Sequence, residues 1–324
     1  MSEFTNHKAE RVSQLVELFQ LVIREELTAA QVTIFQEVID QTGPADVIAV
    51  VDELVKLQIS MPELKKGINK ALNLLNKPLL EFPYTPPAPG SFLRALTANN
   101  DQVEIRLKAI RPLLKELNQN PENQIFHSTL KEQLTDLLRI DLHYQIKENV
   151  LFPVIEKYLT DYRCLSVMWS FHDDIRRNLK ESISMLGSAD FDLKKFNRLA
   201  GYIVFNIYAI RFREERILFP IISGIIPENE LNGLLIESLE IGFPFIQPEI
   251  AKSEKTSGET GNSVEINLQT GFLTPEQIRL VFNHLPVDIT YVDENNKVRY
   301  FSTPEKRIFR RTNSIIGRDV KNCH

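Results

Sequence analysis

Cysteine is scarce in this chain of 324 residues, since only Cys164 and Cys323 occur. Two cysteines so far apart form neither a disulfide framework nor a zinc ribbon, and we interpret both as reduced thiols. No apolar run approaches the length of a membrane span. The polar first residues, MSEFTNHKAERV, lack the apolar centre of a signal peptide. We therefore predict a cytoplasmic protein that contacts no membrane.

An excess of one charge is also lacking. The chain has 38 Lys and Arg residues against 43 Asp and Glu residues, for a formal net charge of −5. The charges are interspersed, so no strong positive field would attract nucleic acid. The sequence also contains no phosphate-binding loop, no dinucleotide fingerprint and no nucleophile–base pair. These absences argue against nucleic-acid binding and make catalysis the less favoured interpretation.

Two stretches rich in proline or in small polar residues divide the chain. Residues 83–90, PYTPPAPG, cannot continue a helix and favour an extended connector. Residues 250–265 contain a glycine- and serine-rich run that predicts a flexible linker. We therefore predict three units: a helical domain of unknown function over 1–82, a bundle over 91–249 and a partial α+β domain over 266–324.

The predicted fold is mainly α. In the first unit, Thr28 and Gln31 have the spacing of a capping box, and no cluster of polar residues suggests chemistry, so a small interaction domain is expected. The second unit has the periodicity of a four-helix up-down bundle. Its helices are predicted near Ser91–Leu117, Asn123–Tyr158, Leu165–Leu186 and Leu193–Ile222.

The third unit changes from helix to strand. Thr274–His284 has the pattern of a capped helix, and Pro286–Val292 alternates apolar and polar residues as a strand does. Asp293–Asn296 predicts a turn, and Lys297–Ser302 predicts the second strand of a hairpin. A sheet begun in this way is incomplete at His324, so we expect a mobile or partner-paired C-terminal region.

A short repeat is the strongest internal signal. KENVLFP at 147–153 is repeated as EERILFP at 214–220, which aligns Phe152 with Phe219. A duplicated motif of this kind predicts two helix hairpins related by a pseudo-twofold axis, with each proline ending or kinking its helix at the same height. The alternative is that Leu-Phe-Pro is simply a well-packing bundle motif.

The repeat, together with VMWSFHDDIR at 167–176, resembles the hemerythrin (HHE cation-binding) family. The resemblance implies a non-haem di-iron centre inside the bundle, with His172 at a ligand position. Residues 284–302 and 307–324 resemble the start of a PAS domain. The order of helical domain, hemerythrin-like bundle and PAS domain resembles a known bacterial combination, with a ligand or partner pocket in the PAS domain.

The expected ligand pairs of that family are incomplete here. Its histidine and glutamate lie four residues apart, and those positions hold His143 and Lys147 in the first copy and Ile210 and Glu214 in the second. The helix near Ser91–Leu117 also carries no histidine near its start.

Shifted glutamates could complete the pairs. Glu148 lies five residues after His143, roughly 140° around an ideal helix. The two side chains could reach one metal only if the helix were widened, as by a π-bulge. The resulting candidate metal ligands are His143, Glu148, His172, Glu214 and Glu215. Otherwise, His143 and His172 are bundle histidines whose hydrogen bonds are made by carboxylates or water.

Three functions follow from these features. The favoured one is a cytosolic sensory or regulatory protein that responds to oxygen, iron or redox state and relays it through the PAS domain. The second is a metal-free interaction protein with a degenerate site, a dry aliphatic interior and Lys147 pointing outward. The third is a di-iron oxidase or an enzyme that handles nitric oxide. A protein partner is expected through the PAS or N-terminal domain, and a homodimer is left open.

Overall fold

A computed structural model describes residues 2–248, 265–304, 307 and 311–322. The fold is mainly α, as predicted. The predicted linker at 250–265 lies outside the described residues except for residue 265, as do Cys323 and His324. The borders of the three units therefore stay predictions.

Six helices precede the bundle: α1 (Ser2–Ile23), α2 (Ala29–Ile34), α3 (Gln36–Asp40), α4 (Pro44–Lys56), α5 (Met61–Leu74) and α6 (Asn76–Glu81). The predicted capping box is confirmed, because the Gln31 backbone N–H donates to Thr28 Oγ1 and the Thr28 N–H donates to Gln31 Oε1. Proline at the first position of α4 fixes a helical φ where no hydrogen-bond donor is needed.

The first unit packs tightly around a glycine. A Cβ atom added at Gly67 of α5 would lie 2.1 Å from Cγ1 of Ile23 in α1. Only glycine allows the two helices to approach so closely. The opposite face of this unit lies on the bundle, since α4 and α5 both contact the helix that starts at Cys164.

The bundle contains α7 (Phe92–Gln119), α8 (Gln124–Leu138), α9 (Ile140–Ile146), α10 (Phe152–Tyr158), α11 (Cys164–Met185), α12 (Leu193–Arg213), α13 (Phe219–Ile225) and α14 (Glu228–Ile241). A first π-helical turn, Lys147–Leu151, joins α9 to α10, and a second, Glu214–Leu218, joins α12 to α13. The helices α7, α8, α11 and α12 each contact the next around a closed ring. This is the predicted four-helix bundle.

One hydrophobic core runs through the bundle and the first unit, from Leu15 to Ile241. The helix α14 covers one side of the bundle, where it contacts α7, α9 and the first π-helical turn. The core is therefore continuous across the predicted border at residues 83–90, although the proline-rich connector itself is mostly exposed.

The described residues of the C-terminal unit form two small hairpins, one α-helix and two short 3-10 helices, Asn313–Ile315 and Val320–Asn322. The strands β1 (Ile266–Asn267) and β2 (Phe272–Leu273) pair antiparallel, as do β3 (Thr290–Val292) and β4 (Val298–Phe301). The helix α15 (Pro275–His284) begins at a capping box of Thr274 and Gln277. The predicted helix and hairpin are thus confirmed, with shorter strands than expected.

Residues 311–322 lie against the bundle instead of extending away from it. Thr312 Oγ1 donates to the backbone oxygen of Asn149 at 2.9 Å, and the Ser314 backbone N–H donates to Glu237 of α14 at 3.1 Å. Arg318 forms a bidentate ion pair with Glu156 of α10 at 3.0 and 2.8 Å. The described part of the predicted mobile region is therefore held by the chain's own bundle.

Candidate metal centre and its buried ion pairs

The two copies of the repeat adopt the same local structure. In each, a π-helical turn precedes the Phe-Pro pair, and the phenylalanine N–H donates five residues back, from Phe152 to Lys147 and from Phe219 to Glu214. Both phenylalanines are fully buried, with 0% exposure. A π turn accommodates one extra residue without disturbing the helix on either side. The local widening that His143 and Glu148 would need to reach one metal is therefore present in the first copy, and the second copy has the same turn.

The side chain of Lys147 points into the bundle. It is 1% exposed, and its Nζ forms an ion pair with Oε1 of Glu214, which is 0% exposed. The ammonium also lies over the Tyr144 ring, 4.7 Å from its centroid. The outward orientation expected for a degenerate site is wrong. A buried carboxylate attracts the nearest cation, because either charge alone would be costly in this environment.

Asn100 of α7 completes this ion pair. Its Nδ2 donates to Glu214 Oε2 at 3.1 Å and to Glu215 Oε1 at 3.3 Å, and its Oδ1 lies 2.9 Å from His143 Nε2. Asn100 was not among the predicted site residues, because the family resemblance implies a histidine on this helix. Its inward orientation was predictable from the sequence, because it lies four residues after the apolar Leu96 on the same helix face.

A second cluster contains His172. Its Nδ1 lies 2.7 Å from Glu148 Oε1, and Arg176 Nη2 donates to Glu148 Oε2 at 2.7 Å. The imidazole stacks on the Tyr144 ring at 4.0 Å between centroids. The five predicted ligands thus separate into two groups, one around the Lys147–Glu214 pair and one around Glu148. Glu215 lies nearer the surface and pairs with Arg211 at 3.0 Å.

Burial shifts the protonation of these groups. It lowers the pKa of both His143 and His172 well below the ordinary value, and nearby Lys147 adds to the effect. Both imidazoles are therefore neutral. Burial raises the pKa of Glu148 to about 7, against the opposing effect of Arg176. Burial also lowers the pKa of Lys147, which Glu214 opposes.

The donor atoms do not fit a di-iron centre as they are arranged. Both oxygens of Glu148 and both oxygens of Glu214 already accept hydrogen bonds from side chains of the bundle. Within the described residues, no group of three or more His, Cys, Asp or Glu side chains is placed to hold a metal ion. Among the buried histidine nitrogens of the described residues, those left without a partner are His143 Nδ1 and His172 Nε2, and two imidazoles are few ligands for two irons.

Comparison with known families agrees with this architecture. Residues 93–222 match the family model of the hemerythrin HHE cation binding domain. Residues 278–324 match the family model of a PAS domain. The chain therefore combines a hemerythrin HHE domain with a PAS domain, as the sequence predicted, while the bacterial origin stays a prediction. A search of curated proteins finds no match.

These matches fit a sensory or regulatory role and associate the bundle with cation binding, for which iron is the typical ion of the family. Among the described residues, no helix has both the length and the apolar character to cross a membrane.

The C-terminal segment contacts the same π-helical turn that carries Lys147 and Glu148. Arg318 Nη1 donates to the backbone oxygen of Glu148 at 3.3 Å, and its guanidinium lies 5.4 Å from the Trp169 ring centroid. The backbone oxygens of a π turn are left partly free for such donors because its hydrogen bonds follow a different spacing. The interior of the bundle and the PAS segment therefore meet at one turn of helix.

Proposed function

We propose that this protein is a cytoplasmic sensory or regulatory protein whose hemerythrin bundle is completed by an internal ammonium–carboxylate pair in place of a metal. The buried contact between Lys147 and Glu214 supports the proposal above all else. Glu214 occupies the glutamate position of the family pair in the second copy, and Lys147 occupies the same position in the first copy, four residues after His143. A protein partner reached through the PAS segment belongs to the same proposal.

Charge balance supports this interpretation. Lys147 neutralises Glu214, and Arg176 neutralises Glu148, so the interior needs no further cation. Burying a metal beside Lys147 would place two cations together in a medium where repulsion is poorly screened. The ammonium therefore satisfies the carboxylate that a metal would otherwise bind.

The connection to the PAS segment gives the bundle a route for regulation. A shift in the first π-helical turn would move the backbone oxygens that Arg318 and Thr312 contact. The energetic coupling between two sites requires contacts of this kind that differ between two states. We assign the regulatory output to this contact.

Iron reconstitution tests the proposal. Purified protein is incubated anaerobically with Fe²⁺, desalted and subjected to elemental analysis. The wild-type protein is expected to retain no stoichiometric iron. The variant Lys147→Glu/Ile210→His supplies both missing members of the family pairs and is expected to gain iron. The matched control Lys147→Gln/Ile210→His, which lacks the carboxylate, is expected to gain much less. Two irons per wild-type chain would refute the proposal.

Iron or oxygen sensing at the bundle is the second candidate. The free ring nitrogens of His143 and His172 favour it. The other ring nitrogen of His172 contacts a carboxylate and that of His143 contacts the Asn100 amide oxygen, and such contacts orient a histidine that binds metal through its free nitrogen. The same reconstitution distinguishes the two candidates, since this one requires wild-type protein to hold iron with histidine ligation in its spectra.

A further inference from the structure

An open groove with a volume of about 920 Å³ lies between the first unit and the bundle. One wall comes from α5, and the other comes from α11 and α12. On α12, Arg198, Tyr202 and Phe205 follow one another at intervals of four and three residues, so they share one helix face. Pockets for organic ligands have volumes of roughly 300–1,000 Å³. The groove is therefore large enough to hold a small molecule.

The groove is positive although the chain as a whole has a formal net charge of −5. The cationic side chains that line it are Lys65, Lys66, Lys70, Arg177 and Arg198. Within the described part of the chain, Asp174 is the one carboxylate among the lining residues. Glu25, which does not line the groove, pairs with two of the lysines at 2.7 and 2.8 Å. Five cations against two carboxylates leave an excess of positive charge, and a cleft of one sign attracts ligands of the opposite sign.

Some of these cations have donors left for a ligand. Asp174 is already engaged, because it accepts hydrogen bonds from Lys65, from Arg177 at 2.5 Å and from Tyr202 at 2.6 Å. Arg198 is exposed and forms neither a hydrogen bond nor a salt bridge with any residue that the structure describes. Its guanidinium therefore lines the groove as a free, charged donor.

A buried guanidinium lies behind the wall of the groove. Arg213 is 7% exposed, its Nη2 donates to Asn69 Oδ1, and its guanidinium lies 4.4 Å from the Phe171 ring centroid. Asn69 and Phe171 both line the groove. Burial lowers the pKa of Arg213 to about 10, so it stays charged at neutral pH. Arg213 thus adds to the positive field of the groove without being exposed in it.

We propose that this groove binds a small organic molecule that carries two or more linked phosphate groups. Lysine and arginine both form charge-assisted hydrogen bonds with phosphate oxygens. A single phosphate would meet only part of the excess charge, which is divided between two walls, whereas linked phosphates can contact both walls. Phe205, which is 49% exposed on the α12 wall, offers an aromatic face to the organic part of the ligand.

The groove is built from three separate helices and not from a glycine-rich loop, so its chemistry leaves no phosphate-binding motif in the sequence. Because one wall belongs to the first unit and the other to the bundle, a bound ligand joins the two. A ligand that binds only the folded chain raises its melting temperature. Neither the Lys147–Glu214 pair nor the PAS contact enters this inference, which therefore stands apart from the proposed function.

Calorimetric titration of the full chain in metal-free buffer at constant ionic strength tests the proposal. ADP is the probe, adenosine lacks the phosphates, and pyrophosphate lacks the organic part. ADP is expected to bind saturably and to raise the melting temperature, and adenosine is expected to do neither. Pyrophosphate is expected to bind about threefold more weakly than ADP, because it gains nothing from Phe205.

Three results of these titrations would overturn the assignment. Absence of saturable ADP binding would remove the site. An equal response to citrate, which carries a similar charge on carboxylates, would remove the preference for phosphate. Tighter binding of a single-stranded oligonucleotide than of ADP would replace the small molecule by a nucleic acid. Equal affinity for pyrophosphate and ADP would refute the role of Phe205.

Two pairs of variants locate the site. Arg198→Gln removes the free guanidinium and is expected to weaken ADP binding about tenfold. Its control, Arg111→Gln, removes an exposed guanidinium of α7 that does not line the groove. Gly201→Glu places a carboxylate in the groove, and its control Gly233→Glu places one on α14; a Cβ atom at either glycine meets no atom within 4 Å.

Gly201→Glu is also expected to weaken ADP binding about tenfold or more, whereas both controls are expected to bind as wild type does. Circular dichroism checks that each variant is folded. Wild-type affinity in Arg198→Gln or Gly201→Glu, or equal weakening in either control, would overturn the proposal. Iron uptake is measured separately, so either result leaves the bundle test intact.

Discussion

Replacing Lys147 by methionine removes the ammonium from the centre of the bundle while largely keeping the volume of the side chain. Glu214 then stays buried, with only the Asn100 amide as a donor. Both members of the pair are almost fully buried, at 1% and 0% exposure. Breaking a buried pair by removing one partner costs about 3–5 kcal/mol, so Lys147→Met is expected to lower the free energy of unfolding by that amount.

Removing both charges separates the pair's own energy from the cost of an orphaned charge. The double variant Lys147→Met/Glu214→Leu leaves no charge unpaired, and such replacements are often neutral or stabilising by about 1–4 kcal/mol. We expect it to recover most of the loss of the single variant. Urea unfolding followed by circular dichroism measures the free energy of unfolding of the wild type, of Lys147→Met, of Glu214→Leu and of the double variant, which together form a double-mutant cycle. Lys115→Met, at an exposed position on α7, is the control and is expected to change stability by less than about 0.5 kcal/mol.

Two results would refute this reasoning. If Lys147→Met costs less than about 1 kcal/mol, then Glu214 is satisfied without the ammonium. If the double variant is no more stable than the single one, then the loss comes from packing and not from an unpaired charge.

Three further predictions concern other parts of the chain. Burial raises the pKa of Glu148 from its ordinary 4.5 to about 7, so its contribution to stability is full below about pH 4.5 and is lost as the pH rises to about 7. Urea titrations across this range should show wild type losing about 3 kcal/mol relative to Glu148→Gln. Arg318→Ala should speed hydrogen exchange of residues 147–151, whereas Lys321→Ala, at an exposed position, should not. Gly67→Ala should destabilise by about 1–3 kcal/mol through overpacking, whereas Gly201→Ala, whose Cβ meets open space, should stabilise by up to about 1 kcal/mol.

Most of the fold was predictable because its determinants are local. The capping boxes at Thr28 and Thr274 start helices where the sequence indicates, and the repeat predicted matching structure around Phe152 and Phe219. The continuous packing of the first unit on the bundle was not predictable. It depends on contacts between residues more than a hundred positions apart, such as Lys65 with Asp174, and no periodic pattern encodes the pairing of two separate apolar faces.

The sequence predicted which residues lie in the candidate site, but it did not predict which of them form ion pairs with one another. The sequence suggested His143, Glu148, Glu214 and Glu215 as inward-facing candidates, and it gave a widened helix only as the condition for His143 and Glu148 to reach one metal. It did not indicate which cation Glu214 would meet, because Lys147 lies 67 residues away along the chain. A single lysine among the apolar positions of a helix is usually predicted to be solvent-exposed, because lysine is rarely buried without a partner.

The π-helical turns change how this sequence must be aligned with its relatives. A relative with a purely α-helical segment would lack one residue between Ile146 and Phe152, and inserting a gap elsewhere would rotate every later side chain by roughly 100°. Counting residues back from the proline and aligning the backbone hydrogen bonds therefore select different neighbours at this turn. Both neighbours, Lys147 and Glu148, are buried inside the bundle, so either alignment compares a buried charged side chain with a ligand position.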